Sequence, residues 1–424
     1  MGGSDVPAAC PRDYPSERHG ADHNAIVSAA PHHLYVHVPF CRLVCAYCDF
    51  VTVGGKGGQI PRYIDALLRE MATRPAPGEL HTIYFGGGTP SLLTGEQVGR
   101  IVEAAEARWE QPSLEEVTIE ANPSERETHD WPGFRAAGVT RISLGVQSLR
   151  DQELEELARG HTAREARTAF GAARAAGFDN ISVDLIYGIP GQSIDDWRDG
   201  LLRAVALGPD HVSCYALQLA LVPDEWAAPP RPGALRWRHR MVGRQDDGLA
   251  SEQYALAAEI LGHAGYRHYE LSSWAHAGRE SRHNSAYWAR RPYTGIGAGA
   301  HSYDGAGERS WNVRELDRYL RVVEGGERPI AGLEDLDEPT RVFEAIALGL
   351  RRVDGLDREA FAAEFGGDPV ERFAVQFDEL RARRLLAWDA DRLQLTSVGR
   401  LYASEALLSL LPEPAGVHAG RASG

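Results

Sequence analysis

The chain has 424 residues, 25% of them charged and 43% in the hydrophobic set, a composition that suits a globular protein with one large domain and a smaller one. Its formal charge of -15 argues against a general nucleic-acid binder, which would carry basic stripes, although a few arginines in a cleft can still hold an anionic ligand. No stretch approaches the roughly 18 apolar residues of a membrane span, and the first thirty residues hold Asp5, Asp13, Glu17 and Asp22 with no apolar leader core, so the cytoplasm is the expected compartment.

Residues 1–30 are expected to form a disordered tail that includes Cys10. From about residue 33, compact runs rich in Val, Ile, Leu or Tyr alternate with helical patterns. Leu34–Val38, Thr82–Phe85, Glu116–Glu120, Arg141–Val146, Asn180–Tyr187 and His211–Leu219 read as strands. Tyr63–Ala72, Glu96–Trp109, Ala163–Ala176 and Ile194–Leu207 read as amphipathic helices. Such alternation, with strands read as near-continuous apolar runs, predicts an α/β fold whose parallel sheet is covered by helices. Six consecutive units predict a partial TIM-type (β/α)6 barrel. A doubly wound open sheet is the alternative, because strand order is not written in the sequence. In a barrel, chemistry sits on the loops at the C-terminal ends of the strands.

Beyond residue 220 the pattern changes. Pro223, Pro229, Pro230 and Pro232 mark an irregular connection, followed by a helical stretch near Gly248–Gly262 and a segment dense in His, Tyr and Trp. Helices are then predicted over Arg341–Leu350, Arg358–Phe365 and Val370–Arg384. A hairpin over Leu385–Leu395 follows, turning at Asp389-Ala390-Asp391. Three helices and a small β-wing predict a C-terminal helical, winged-helix-like domain over 331–411. Residues 31–330 form the core with its α/β extension, and 412–424 a frayed tail. Acidic residues interleave with Arg381, Arg383 and Arg384, which favours a packing or lid role over DNA contact.

Three of the five cysteines, Cys41, Cys45 and Cys48, lie on one short loop after the first strand run, while Cys214 sits in an apolar run and reads as core. Soft thiolates suit an iron–sulfur cluster or zinc. Zinc in a closed site wants a fourth ligand, for which His37 is the nearest candidate, and a fully protein-ligated cubane wants a fourth cysteine. Three cysteines leave one iron open to a chelating ligand. The second run ends in Gly86-Gly87-Gly88-Thr89-Pro90, which is either a tight loop or a close-approach cradle with an anion-binding nest of amides. The later runs end in Glu120-Ala121-Asn122-Pro123 and Gly145-Val146-Gln147. Arg159 follows, and Asp184 stands before Tyr187-Gly188-Ile189-Pro190. The loop Gly295-Ile296-Gly297-Ala298-Gly299-Ala300 fits a dinucleotide pattern but follows no strand and opens no helix; it is read instead as backbone brought close to a ligand.

Taken together, Cys-x-x-x-Cys-x-x-Cys, Gly-Gly-Gly-Thr-Pro-Ser, Glu-Ala-Asn-Pro, Gly-Val-Gln-Ser and Asp-Leu-Ile-Tyr-Gly-Ile-Pro resemble the radical S-adenosylmethionine (SAM) family of oxygen-independent coproporphyrinogen III oxidases and their haem-chaperone relatives. The resemblance covers most of residues 33–400. It implies a radical SAM partial barrel and a [4Fe-4S] cluster on Cys41, Cys45 and Cys48. It also implies SAM held among Tyr35, Gly87, Gly88, Thr89, Glu120, Gln147, Arg159 and Asp184. The oxidases carry a further cysteine two positions after the third, where Phe50 stands here. That points to the haem-chaperone branch, with oxidative decarboxylation of coproporphyrinogen III or another radical SAM reaction as alternatives. Tyr269-Glu270-Leu271-Ser272 and His283-Asn284-Ser285-Ala286-Tyr287-Trp288 resemble segments of that branch. His283 is therefore the candidate haem ligand, Tyr287 and Trp288 candidate packing partners, and Arg290 or Arg291 the candidate propionate partner; the alternative is that His283 caps a turn and the aromatics fill core. Implied partners are haem, acceptor haemoproteins (transient membrane-protein acceptors among them), an electron donor such as a flavodoxin or ferredoxin, and a second copy in a homodimer.

Overall fold

The computed structural model describes residues 31–109, 112–124, 129–219 and 232–410. The two expected tails, Cys10 and the Pro223–Pro230 connection lie outside the described residues. Six parallel strands occupy the predicted runs: β1 (Pro31–Val38), β2 (Glu79–Gly87), β3 (Pro112–Ala121), β4 (Arg141–Gln147), β5 (Ile181–Tyr187) and β6 (His211–Ala216). They pair in chain order. A doubly wound sheet would reverse direction part-way; this sheet does not, and its winding is that of a partial barrel. The barrel stays open. β6 pairs onward with β8 (Ser273–Ala275), which pairs with β7 (Arg267–Glu270). On the other side, β1 pairs with β9 (Tyr293–Ile296), continuing through β10 (His301–Tyr303), β11 (Glu308–Asn312) and β12 (Ile330–Asp335).

Helices α1 (Ile60–Thr73), α2 (Gly95–Arg108), α3 (Ala163–Ala175) and α4 (Ile194–Leu207) belong to the crossovers. Three of them start at reciprocal capping boxes, Thr94 with Gln97, Thr162 with Glu165 and Ser193 with Asp196, which fixes their first turns. Their apolar faces bury against Leu34, Val36, Ile83, Phe85, Ile119, Ile142 and Val183 in one large core.

Successive strand residues point to opposite faces, and here the face away from that core is polar. His33, Tyr35 and His37 alternate with the apolar residues of β1, Glu116, Thr118 and Glu120 with those of β3, and Ser182 and Asp184 with those of β5. The expectation of near-continuous apolar strands is thus corrected. Most positions on the other face are polar, with Tyr84 and Ile186 as exceptions.

The chain continues through α5 (Pro232–Val242), α6 (Asp247–His263) and α7 (Arg282–Trp288). A second core gathers Val342 and Ile346 of α8 (Glu338–Gly349), Phe361 of α9 (Arg358–Phe365), Phe377, Leu386 and Leu393, together with Leu271 from the end of β7. A three-stranded wing packs on it, built from Leu356–Asp357, Leu386–Trp388 and Arg392–Leu395. The helix predicted over Val370–Arg384 is two, Pro369–Arg372 and Ala374–Ala382, because Phe373 leaves the helical region at φ -117, ψ 31.

Candidate functional site

Directly after β1, Phe40–Cys41 pairs in parallel with Val53–Gly54, and this closes the intervening segment into a loop at the C-terminal end of the barrel. Cys41, Cys45 and Cys48 sit on that loop, each partly exposed and free of disulfides. Polar groups reach two of their sulfurs. The Thr89 hydroxyl lies 3.5 Å from Cys41 Sγ, and Arg159 Nη1 lies 3.1 Å from Cys45 Sγ. His37 is not a fourth ligand. Its Nε2 donates to the Val51 carbonyl at 2.8 Å, and its Nδ1 accepts from Tyr35 at 3.2 Å. With both imidazole nitrogens spent, a closed zinc site lacks its fourth donor. As a donor set, three thiols with no available imidazole suit a cubane that keeps one iron open, while among the described residues the three side chains are not drawn together into a metal site.

Arg159 organises the rim. Besides Cys45, Nη1 reaches the Tyr47 hydroxyl at 3.3 Å, while Nη2 donates to Asn122 Oδ1 and to the Gly145 carbonyl, both at 2.9 Å. It therefore ties the ends of β3 and β4 to the cysteine loop. Its Nε is buried with no partner among the described residues. Gln147 closes β4 in the left-handed region at φ 65. Glu120 accepts from the Tyr84 hydroxyl at 2.9 Å and from the Gly87 amide at 3.1 Å. Burial raises its carboxyl to about 7, the hydrogen bond from Tyr84 opposes that, and the nearby Asp184 adds to it. Asp184, mid-strand rather than at a strand end, accepts from Ser143 at 2.9 Å and Ser182 at 3.1 Å; burial raises its carboxyl as well.

The triple-glycine loop acts by close approach. Gly87 stands at φ 112, and a Cβ there would meet the His37 ring at 2.5 Å; one on Gly88 would meet the Phe40 carbonyl oxygen at 2.7 Å. The amides that an anion nest would need are occupied. Gly87 donates to Glu120, Gly88 to the Val38 carbonyl at 2.8 Å and Thr89 to the Phe40 carbonyl at 2.8 Å. The nest expectation is replaced by a loop pressed against the root of the cysteine segment. Gly295–Ala300 is corrected in the same sense. A Cβ on Gly297 would meet the Tyr63 hydroxyl at 2.5 Å and the His37 carbonyl at 2.6 Å, and one on Gly299 would meet Val51 at 2.9 Å, so this loop underpins the cysteine segment from within the protein.

His283 is not brought to the site. It is 0% exposed; Nδ1 meets the Thr82 hydroxyl at 2.7 Å, Nε2 the Tyr287 hydroxyl at 2.9 Å, and its amide donates to Glu116. Axial ligation needs a free imidazole nitrogen, so the haem-ligand expectation gives way to a core histidine that buttresses α7. Trp288 stacks under Arg351 at 4.3 Å, and Arg290 pairs with Glu364 at 2.6 Å. Of the two candidate propionate arginines, only Arg291 is left unpaired among the described residues.

Sequence reasoning missed Arg238. It is 4% exposed on α5 and donates to the carbonyls of Ala46 at 3.2 Å, Tyr47 at 3.1 Å and Cys48 at 3.2 Å, and to the Asp49 carboxylate. One planar fork thus fixes three successive peptides of the cysteine loop. No local motif announces it, because its partners are backbone atoms about 190 residues away. An Arg238→Met variant should lose about 2–4 kcal/mol, be cut by protease within the cysteine loop, and take up less iron on reconstitution. Parent-like proteolysis and iron content would show the clamp to be idle.

Comparison with known proteins follows the same lines. Residues 35–203 match the radical SAM superfamily and residues 336–402 the HemN C-terminal domain. The chain is 38% identical over 391 residues to the heme chaperone HemW of Mycobacterium tuberculosis (strain CDC 1551 / Oshkosh), covering 90% of this chain and 95% of that one. It is 31% identical over 387 residues to HemW of Bacillus subtilis (strain 168), covering 89% and 99%. Coproporphyrinogen III oxidase (HemN) from Escherichia coli, a radical SAM enzyme, shares the fold, with a TM-score of 0.77 over 92% of each chain at 21% identity. Among the described residues no helix is long and apolar enough to cross a membrane. With such identity held over nearly the full length of its relatives, this chain belongs to the HemW family of the radical SAM superfamily.

Proposed function

We propose that this chain is a haem chaperone. It binds haem, holds a [4Fe-4S] cluster through Cys41, Cys45 and Cys48 with SAM on the open iron, and passes haem to acceptor haemoproteins. The observation that carries this reading is the 38% identity that spans 95% of a mycobacterial heme chaperone. The position of the oxidases' further cysteine adds support, since here it is Phe50, a 66% exposed side chain with no sulfur to offer. Residues 31–330 would carry the cluster and SAM, and residues 331–411 would pack beside them. When bound, the cluster and SAM supply a 5′-deoxyadenosyl radical or a redox signal. The chain's own groups bind and orient: Tyr35, Gly87, Gly88, Thr89, Glu120, Gln147, Arg159 and Asp184 surround SAM. A cytoplasmic location, a flavodoxin or ferredoxin as electron donor, transient membrane-protein acceptors and a homodimer belong to the same proposal.

The test pairs two assays on anaerobically reconstituted protein. Added haem should give a stable shift of the Soret band, and coproporphyrinogen III with SAM and a reductant should stay unconverted. Absence of haem binding ends the chaperone reading, and formation of protoporphyrinogen installs the oxidase in its place.

The Glu120 carboxyl gives this reading a pH signature. Because its value is raised from 4.5 to about 7, the stability it contributes is present below 4.5 and is lost as pH rises through 7. A ligand that needs the carboxylate as acceptor has the opposite dependence. SAM affinity should rise as pH climbs through about 7, and Glu120→Gln should flatten that profile in calorimetric titrations. A parent profile without a step near 7 would remove Glu120 from the SAM contacts.

A further inference from the structure

Asp184, on β5, does not hold its place alone. Ser143 donates to its Oδ2 at 2.9 Å and Ser182 to its Oδ1 at 3.1 Å. Ser182 Oγ also lies 2.8 Å from Nδ1 of His211, at the start of β6, and His211 Nε2 lies 2.8 Å from the Tyr269 hydroxyl on β7. The Ser281 amide donates to that hydroxyl at 3.3 Å, and Ser281 is the N-cap of α7. A run of hydrogen bonds thus crosses the polar face of the sheet from α7 to Asp184.

Chemistry sets the direction of each bond. His211 is 1% exposed; burial, and then the charge of Arg141, hold its imidazole well below the usual value, so the ring is neutral with a single N–H. Burial raises the Asp184 carboxyl, and Ser143, Arg141, Ser182 and Ser213 draw it back toward the charged form. Hydrogen bonds to a carboxylate are the stronger ones, and Ser182 has one hydrogen to give. It goes to Asp184, so Ser182 accepts from His211 Nδ1. Nε2 is then the acceptor, and Tyr269, whose phenol burial keeps protonated, is its donor. Every donor in the run points toward Asp184, and bonds aligned in this way polarise one another. The carboxylate is held by both oxygens and keeps acceptor capacity for a ligand hydroxyl.

We infer that His211 is a positioning residue for SAM, acting through Ser182 on the Asp184 carboxylate, with Tyr269 setting its tautomer. The inference rests on the placement of Asp184 among the SAM contacts proposed above and adds to that set three residues that touch no ligand. A site is only as precise as the groups that lock its contacting side chains. The run also gives α7 a part in the site. Its His283 is spent in the core, but its N-cap anchors the first donor of the chain that ends on Asp184.

Calorimetric titration of SAM into the reconstituted full chain tests it, with iron content as the check on folding. Ser182→Ala and His211→Leu should each bind SAM at least about fivefold more weakly than the parent. The double variant should bind within about twofold of the weaker single one, because both break the same chain. His211→Gln offers one amide donor and one carbonyl acceptor and should restore binding to within about threefold of the parent. Tyr269→Phe deletes only the terminal hydroxyl and should weaken binding in the same direction, so the test stands even where His211→Leu fails to take up iron. Asp184→Ala separates the two claims. If it weakens SAM while Ser182→Ala and Tyr269→Phe bind like the parent, the inference falls and the SAM contacts stand. Additive losses in the double variant, the mark of unrelated packing defects, would overturn it as well. Parent-like binding by Asp184→Ala would remove Asp184 from the SAM contacts and the inference with it.

Discussion

Replacing Cys45 by serine should leave the chain folded but unable to assemble a cubane. The alcohol is a hard, poorly ionised donor where iron in a sulfide cluster wants a soft thiolate. With Cys45 gone, two protein sulfurs remain, and Arg159 Nη1 loses the acceptor 3.1 Å away. After anaerobic reconstitution the variant should retain less than about a tenth of the parent's iron and sulfide, and added SAM should be without spectroscopic effect. Cys45 is partly exposed on a loop, so the apo variant should melt within about 2 °C of the apo parent. Cys214→Ala is the control. That thiol is 1% exposed in the main core, and its loss should leave iron content unchanged. Full iron incorporation by Cys45→Ser would show that the loop is not the cluster's seat.

The largest stability loss should follow Glu70→Ala. The Glu70 side chain is 0% exposed and pairs with Arg74 at 2.8 Å. It accepts from Asn312 at 2.7 Å, from the Tyr319 hydroxyl at 2.7 Å and from the Gly297 amide at 2.9 Å. Removing the carboxylate strands a buried guanidinium and three further donors, which costs about 3–5 kcal/mol. The damage travels to the site. Gly297 and Ala298 lie against Tyr63, whose hydroxyl donates to the His37 carbonyl at 2.7 Å, one residue before the turn into the cysteine loop. Thermal unfolding of the apo chain should show a much lower midpoint, and cysteine labelling should be faster than in the parent. A loss below about 1 kcal/mol would mean that the network is filled in by water.

The barrel was legible because its strands and helices announce themselves locally. Arg141–Val146 lies within β4, and Ile194–Leu207 matches α4 end for end, starting at the Ser193–Asp196 capping box. The cysteine loop was legible for the same reason, since its spacing is contiguous. What could not be read was any fact carried by long-range packing. The polar lumen hides in the alternation of residues such as Ser182 and Asp184, which in one dimension look like interruptions of an apolar run. The burial of His283 depends on Thr82, 201 positions earlier, and on Tyr287 in the same helix, so a motif that looked like a ligand set is spent on packing. The role of Arg238 is invisible for a similar reason, because it is defined by partners on another element.

Reduction of the reconstituted parent with dithionite, followed by electron paramagnetic resonance with and without SAM, addresses the central claim most directly. A reduced cubane signal that changes shape when SAM is added is the predicted result, because only an iron without a protein ligand is open to SAM's amino and carboxylate groups. A spectrum without a cubane, or one that SAM leaves untouched, would contradict the account.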